Sequence, residues 1–275
     1  MSAPHRAKKS LGQNFLIDPH QQRRIVDAVQ ARPGDTVLEI GPGQGALTRR
    51  LAERAGRLIL VELDDDLAPA LEREFADRPH VSVVHADFLD LDLHTIVSDV
   101  GSLRVVGNIP YNITTPIIFR LLERDVRPAR IVLMIQKEVA DRILAAPGTG
   151  EYGALSVGVR TVARVQRMFN VGRGAFRPVP RVDSTVIAIE PITPPPLSAA
   201  QEAAVRTLTR VAFSWRRKQL QKTLRSSPEY SLDAEGVASV EAATGIALEK
   251  RPEELPPEDF VRLADALGHS RRPEP

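Results

Sequence analysis

Asn108-Ile109-Pro110-Tyr111 concentrates more usable chemistry than any other stretch of this chain. An exocyclic amino group on a nucleobase such as adenine is a poor nucleophile. Its lone pair is delocalised into the ring until the nitrogen moves toward tetrahedral geometry, and acceptors aimed at its two hydrogens favour that geometry. The amide oxygen of Asn108 and the backbone carbonyl of Pro110 are such acceptors, and the proline restricts the turn that aims them. Tyr111 is of a type that stacks on a base turned out of its helix. No general base is required. The competing reading is a turn at a strand end, with Tyr111 packed on the next helix.

The segment gains weight from acids and glycines upstream. Glu39-Ile40-Gly41-Pro42-Gly43-Gln44-Gly45 ends a strand pattern in glycines, which let the backbone turn sharply beside a ligand. Gly41, Gly43 and Ala46 also satisfy the dinucleotide fingerprint, so this motif alone admits a methyl donor, a dinucleotide or a plain turn. Glu62 lies about twenty residues past the first glycine, where an acid accepts ribose hydroxyls in either kind of site. Glu39 and the pair Asp87-Phe88 tilt the balance to S-adenosylmethionine: the acid suits an adenine amino group and the ring flanks it. Asp64 and Asp87 also read as helix N-caps.

These residues form one site only if they fall at successive strand ends. Apolar runs of strand length, Thr36 to Ile40, Leu58 to Leu63, Val81 to His85, Arg104 to Gly107 and Ile131 to Ile135, alternate with helical patterns, as in a parallel sheet covered on both faces. Asp18-Pro19 starts a helix before them. Val165 to Val171 and Ser184 to Glu190 read as two further strands, their short connection favouring an antiparallel pair. The fold class is therefore α/β, a mostly parallel sheet with an antiparallel strand near the end and a small all-helical C-terminal domain; with the methyl-donor reading of the glycine turn, the expectation is a Rossmann-like sheet of the class I methyltransferase kind. The expected division is residues 1–190, a proline-rich linker over 191–197, and helices over 198–275.

Composition narrows the partners. The chain has 275 residues, 43% hydrophobic and 26% charged, and no cysteine, which excludes disulfides, thiolate metal sites and cysteine nucleophiles. No metal cluster at ligand spacing is visible. Neither a membrane span nor a secretory signal is expected, and a cytoplasmic setting fits. Net charge is only +2, yet the stretch from Arg160 to Arg225 holds thirteen Arg and Lys against three acids, a bias that suits a polyphosphate partner. Trp215 to Arg225 reads as one basic amphipathic helix. Leu220 and Leu224 dock it, while Arg216, Arg217, Lys218, Lys222 and Arg225 meet RNA phosphates. Lys8 and Lys9 are candidates for further RNA contacts.

Taken together, Gly12 to Leu16, Glu39 to Gly45, Asn108 to Pro116, Gln136 to Ala140, Tyr152 to Ser156 and Phe176 to Ser184 resemble the ribosomal RNA adenine N6,N6-dimethyltransferase family, in particular its bacterial small-subunit branch. The resemblance implies S-adenosylmethionine as methyl donor, with S-adenosylhomocysteine as product. It implies as target two adjacent adenines near the 3′ end of 16S rRNA, in an immature small subunit, and a role in ribosome biogenesis; a monomer is the default. It further implies that Asn14 and Leu16 cover the cofactor, that Gly41 and Glu62 hold its methionine and ribose portions, and that Asp87 and Asn108 contact the adenine side and the reaction centre. Phe176 would stack on the target adenine opposite Tyr111. Three alternatives stay in view: a large-subunit rRNA adenine methyltransferase of the macrolide-resistance type, a non-catalytic RNA-binding assembly factor on the same fold, and a nicotinamide-dependent dehydrogenase.

Overall fold

The computed structural model describes residues 7, 8 and 11–269; Lys9 and the tail from Arg271 lie outside the described residues. The chain divides into two compact units, one holding the residues through Ala140 together with Val165–Pro191, the other holding Asp141–Arg164 together with the chain from Ile192 onward.

In the first unit a two-residue strand β1 (Phe15–Leu16) precedes helix α1 (Pro19–Val29). Asp18 caps that helix by accepting from the N–H groups of His20 and Gln21, and Pro19 occupies its first turn, where a missing N–H costs nothing. Then follow β2 (Thr36–Ile40), α2 (Thr48–Leu51), β3 (Arg57–Glu62), α3 (Leu67–Glu74), β4 (Val81–His85), β5 (Arg104–Asn108), α4 (Thr114–Leu121), β6 (Arg130–Gln136) and α5 (Lys137–Leu144). After α6 (Ala154–Arg160) come β7 (Ala163–Val171), the short β8 (Phe176–Arg177) and β9 (Ser184–Pro191).

Seven strands make one sheet in the order β4-β3-β2-β5-β6-β9-β7. The pairs among β2 to β6 are parallel and β9 runs antiparallel to β6. Val37, Leu38, Leu58, Ile59, Leu60, Val105 and Val106 are wholly buried, the pattern of strands covered on both faces. From β2 the chain builds outward through β3 to β4, then returns to add β5 and β6 on the other side, so the strand order reverses beside β2. In such sheets ligands bind at the carboxyl ends of the strands at this reversal. The register aligns those ends: Ile40 lies opposite both Val61 and Gly107, and Glu62 opposite His85. Gly107 allows this closeness, since a Cβ there would lie 2.6 Å from the Ile109 side chain and 3.0 Å from the Ile40 carbonyl.

The second unit adds α7 (Ala199–Ser214), α8 (Leu220–Ser226), α9 (Ala234–Thr244) and α10 (Pro257–His269). Its core joins Leu208, Leu220, Leu224, Leu255, Phe260 and Leu263. Two expectations change here. Residues 141–164 group with the C-terminal helices rather than with the sheet, because buried Tyr152 and Val157 belong to the helical core and the Tyr152 hydroxyl donates to the Leu255 carbonyl at 2.8 Å. The expected single helix over Trp215 to Arg225 is broken: α7 ends at Ser214, and α8 starts at Leu220, whose N–H donates to the Lys250 carbonyl while that of Gln221 donates to Leu248. The Leu248–Lys250 segment after α9 therefore takes up two of the four N–H groups that any helix start leaves unpaired.

Candidate active site

A cavity of about 200 Å³ opens at the carboxyl edge of β2 to β5, lined by residues from Leu11–Leu16, the glycine turn, the ends of β3 and β4, and Asn108–Ile113. Gly41 and Gly43 carry φ of +62° and +57°, a region that favours glycine, and a Cβ on Gly43 would come within 3.1 Å of the Phe15 ring. The turn is fixed from β3. The Gly41 N–H donates to the Val61 carbonyl, and the Gly43 N–H donates to Glu62 at 2.9 Å. The other Glu62 oxygen accepts from the N–H groups of Leu63 and Asp64 at 3.0 Å each. Asp87 accepts from the Leu89 N–H at 2.9 Å, as a cap does, and still lines the cavity beside buried Phe88.

The Asn108 amide donates through Nδ2 to the Asn14 carbonyl at 2.9 Å, which leaves its oxygen as the acceptor of a residue that lines the cavity. Tyr111 lines the same cavity, and its hydroxyl is 3.0 Å from that of Ser184. Burial raises the Tyr111 phenol above its usual range, the Ser184 hydrogen bond opposes this, and Asp183 adds to it, so the phenol is neutral. Sequence reading did not single out Ser184, although it closes the Phe176 to Ser184 segment. The Pro110 carbonyl, expected as the second acceptor, already accepts from the Ile113 N–H at 3.2 Å and the Thr114 hydroxyl at 3.3 Å.

Asn14 and Leu16 both line the cavity. Phe176 does not. It is 1% exposed and packs in the core of the sheet unit, because β8 pairs antiparallel with β1 and sets Phe176 opposite Leu16. It anchors the N-terminal arm and is not placed to sandwich a base with Tyr111. Lys8 is also corrected: its ammonium lies 2.7 Å from both Asp64 and Asp66, so it is engaged beside the cavity rather than offered to RNA.

In the helical unit, exposed Arg217, Lys218 and Lys222 line a shallow groove together with Arg251, Glu249 and Glu254. Arg225 is exposed on α8, and Lys218 lies 4.2 Å from the Trp215 ring. Arg216 departs from this set. Its guanidinium pairs with Glu253 at 2.7 Å and donates to the carbonyls of Thr149 and Gly150, which is a tie within the unit.

The electrostatics of the cavity select its ligand. Glu39, Glu62 and Asp87 line it, and among the described residues no Lys, Arg or His does. A pyrophosphate would meet three acidic side chains there and no base to balance them, whereas a cation bearing ribose hydroxyls and an adenine amino group meets acceptors throughout. Glu39 sharpens the point. Burial pushes its carboxyl up to about 8 despite the hydrogen bond from the Thr48 hydroxyl, with the nearby Glu62 charge adding to the rise. A bound cation offsets that cost. The residues present thus fit S-adenosylmethionine, and the fold and cavity define a Rossmann-like methyltransferase dependent on it.

The chain matches the family described as ribosomal RNA adenine dimethylase over residues 4–268. It is 44% identical to the ribosomal RNA small subunit methyltransferase A of Geobacter metallireducens, across 95% of this chain and 96% of that protein. Identity to the protein of the same name from Pseudomonas aeruginosa is also 44%, across 96% of each. Among solved structures, a dimethyladenosine transferase from Plasmodium falciparum superposes with a TM-score of 0.79 at 27% identity, covering 90% of this chain and 95% of that one. The 23S rRNA methyltransferase ErmE gives 0.69 at 30% identity, covering 93% and 100%. This chain belongs to the ribosomal RNA adenine dimethylase family.

The shifted Glu39 carboxyl yields a stability prediction. Folded Glu39 keeps its proton up to about pH 8, while the unfolded chain releases it near 4.5. The stability it confers is therefore complete below pH 4.5 and is lost as pH rises to about 8. Thermal unfolding of the ligand-free protein across that window is expected to fall more steeply for the wild type than for Glu39→Gln, which retains an acceptor for Thr48. Parallel curves would show that Glu39 ionises normally.

Proposed function

We propose that this chain dimethylates N6 of two adjacent adenines near the 3′ end of 16S rRNA, acting as a monomer on an immature small ribosomal subunit in the cytoplasm, as a step of ribosome biogenesis. The observation that carries the reading is the placement of Asn108 and Tyr111 on the same sheet edge as a cavity lined by acids and free of bases among the described residues. The small-subunit target is supported by the names of the relatives at 44% identity.

S-adenosylmethionine supplies an electrophilic methyl group on a cationic sulfur. Glu62 would hold its ribose hydroxyls, Asp87 its adenine amino group, and the backbone at Gly41 and Gly43 its methionine portion, with Asn14 and Leu16 over it. The Asn108 oxygen accepts a hydrogen from the target amine and draws the nitrogen toward tetrahedral geometry, while Tyr111 stacks on the ring. The amine lone pair would form the new bond to the methyl carbon, with the carbon–sulfur pair kept by sulfur and the surplus proton released from nitrogen to water. Because Thr114 and Ile113 already use the Pro110 carbonyl, this second acceptor comes into play only as the Thr114 hydroxyl turns away.

RNA phosphates are met by Arg217, Lys218, Lys222 and Arg225 of the helical unit. Each such contact releases a counterion, so Lys222→Ala and Arg225→Ala should each lower the slope of log affinity against log salt by about 1. Arg216→Ala, in contrast, should lower thermal stability and leave the slope unchanged.

The decisive assay incubates purified protein with labelled S-adenosylmethionine and undermethylated small subunits, then maps the product by mass spectrometry of digested rRNA. Two neighbouring dimethyladenines near the 3′ end of 16S rRNA are expected. The likeness to ErmE makes large-subunit RNA the second substrate to test, and methylation there alone would overturn the assignment. Binding to the particles without any transfer would mark an assembly factor instead.

A further inference from the structure

Asp64 has no part in the chemistry described so far, yet its carboxylate is fully buried and closes three hydrogen bonds at the cavity rim. One oxygen accepts from Lys8 Nζ at 2.7 Å and from the Asp66 N–H at 2.9 Å; the other accepts from Gln13 Nε2 at 2.7 Å. Gln13 turns its own side-chain oxygen back to the Lys8 N–H at 2.8 Å. The arm is thus tied down just before Asn14. Just after Asn14 it is tied again, because Phe15 and Leu16 pair with β8. Between these two ties the Asn14 carbonyl holds the Asn108 amide nitrogen at 2.9 Å.

A side-chain amide can turn over about its last torsion, and its two orientations offer an acceptor or a donor to the same point in space. Only one of them suits an incoming amino group. The Asn14 carbonyl selects that orientation by accepting from Nδ2, and its own position depends on the two ties. The β8 tie is a two-residue backbone pairing. The Asp64 tie uses a charge-assisted bond from Lys8, the stronger kind, on a carboxylate that is itself buried.

We propose that Asp64 is a positioning residue for methyl transfer, acting through Gln13 to fix the Asn14 carbonyl and hence the Asn108 amide with its oxygen toward the target amine. The inference rests on the reading of Asn108 as the acceptor. The charge of Asp64 is secure: burial alone would raise its carboxyl, but the hydrogen bonds from Lys8, the Asp66 N–H and Gln13 outweigh this and hold it at about 2. It is ionised at any pH at which such an enzyme is assayed.

The test compares Asp64→Asn, Gln13→Leu and Asn108→Ala by steady-state methyl transfer, by thermal unfolding, and by 15N spectra of the Asn108 side-chain amide. Gln13→Leu cuts the relay while sparing the bond from Asp64 to the Asp66 N–H, so it decides the matter even if Asp64→Asn folds poorly. The expected result is a fall in kcat of about tenfold or more for Gln13→Leu, assayed well below an unfolding midpoint lowered by the loss of a donor to a buried carboxylate, accompanied by a shift or broadening of the Asn108 amide signals. A Gln13→Leu protein with wild-type kcat, whether or not its KM for S-adenosylmethionine rises, would reduce the Asp64 tie to a cover over the cofactor and overturn the proposal. Asn108→Ala reports separately on the underlying reading. If it keeps wild-type kcat, the acceptor assignment itself fails; if it is inactive while Gln13→Leu is normal, only the role of Asp64 falls.

Discussion

Two buried carboxylates, two residues apart at the end of β3, hold the loops of the cavity together. Glu62 reaches back to the glycine turn after β2 and accepts from its own strand end, so three backbone N–H groups from two loops converge on one side chain. Asp64 reaches forward to the N-terminal arm through Lys8 and Gln13. The glycine turn and the arm then meet each other where Phe15 lies against Gly43. Charged acceptors saturated by N–H donors are rigid as well as stable, which is what a cavity needs in order to hold a ligand in one pose.

The same acids impose the charge of the site. A sheet edge with Glu39, Glu62 and Asp87 has no base among its described lining residues, and the Glu39 carboxyl is raised there by its burial, with the nearby Glu62 charge adding to it. A cationic sulfonium offsets that charge, while its neutral product does not. The electrostatics that favour binding of the methyl donor thus also favour exchange of the spent product. The amino group to be methylated is neutral and needs acceptors instead of counter-charge. Asn108, a neutral amide held in one orientation, suits that need where another carboxylate would add to the repulsion.

The sheet was legible in the sequence because its central strands are buried on both faces and so read as unbroken apolar runs; their predicted limits agree with the observed ones to within a residue. The strand-end residues were legible for the same reason, since parallel order brings every carboxyl end to one edge. What escaped were pairings between distant segments with no periodic signature. The two-residue bridge of β1 to β8 buries Phe176, which in sequence resembles an exposed residue of a proline-bearing loop. The carbonyls of Leu248 and Lys250 start α8 and break the helix expected over Trp215 to Arg225, a helix whose leucine spacing is correct. Lys8 and Arg216 looked like free cations because an ion-pair partner cannot be read from charge alone; Asp64 and Glu253 claim them. The units do change at the prolines, at Pro191 and Ile192, but the assignment of residues 141–164 to the helical unit was missed, because the Tyr152 contact with Leu255 is equally silent in sequence.

The proposed mechanism converges on one atom, the Asn108 side-chain oxygen, as the acceptor that would turn an aromatic amine into a nucleophile. A crystal structure of the protein with S-adenosylhomocysteine and an adenine-bearing oligonucleotide tests that most directly. The account predicts the adenine N6 at about 3 Å from Asn108 Oδ1, with the ring against Tyr111 and the Asn108 nitrogen still bonded to the Asn14 carbonyl. An adenine whose amino group faces away from Asn108, or an Asn108 amide that has turned its nitrogen to the base, would contradict it.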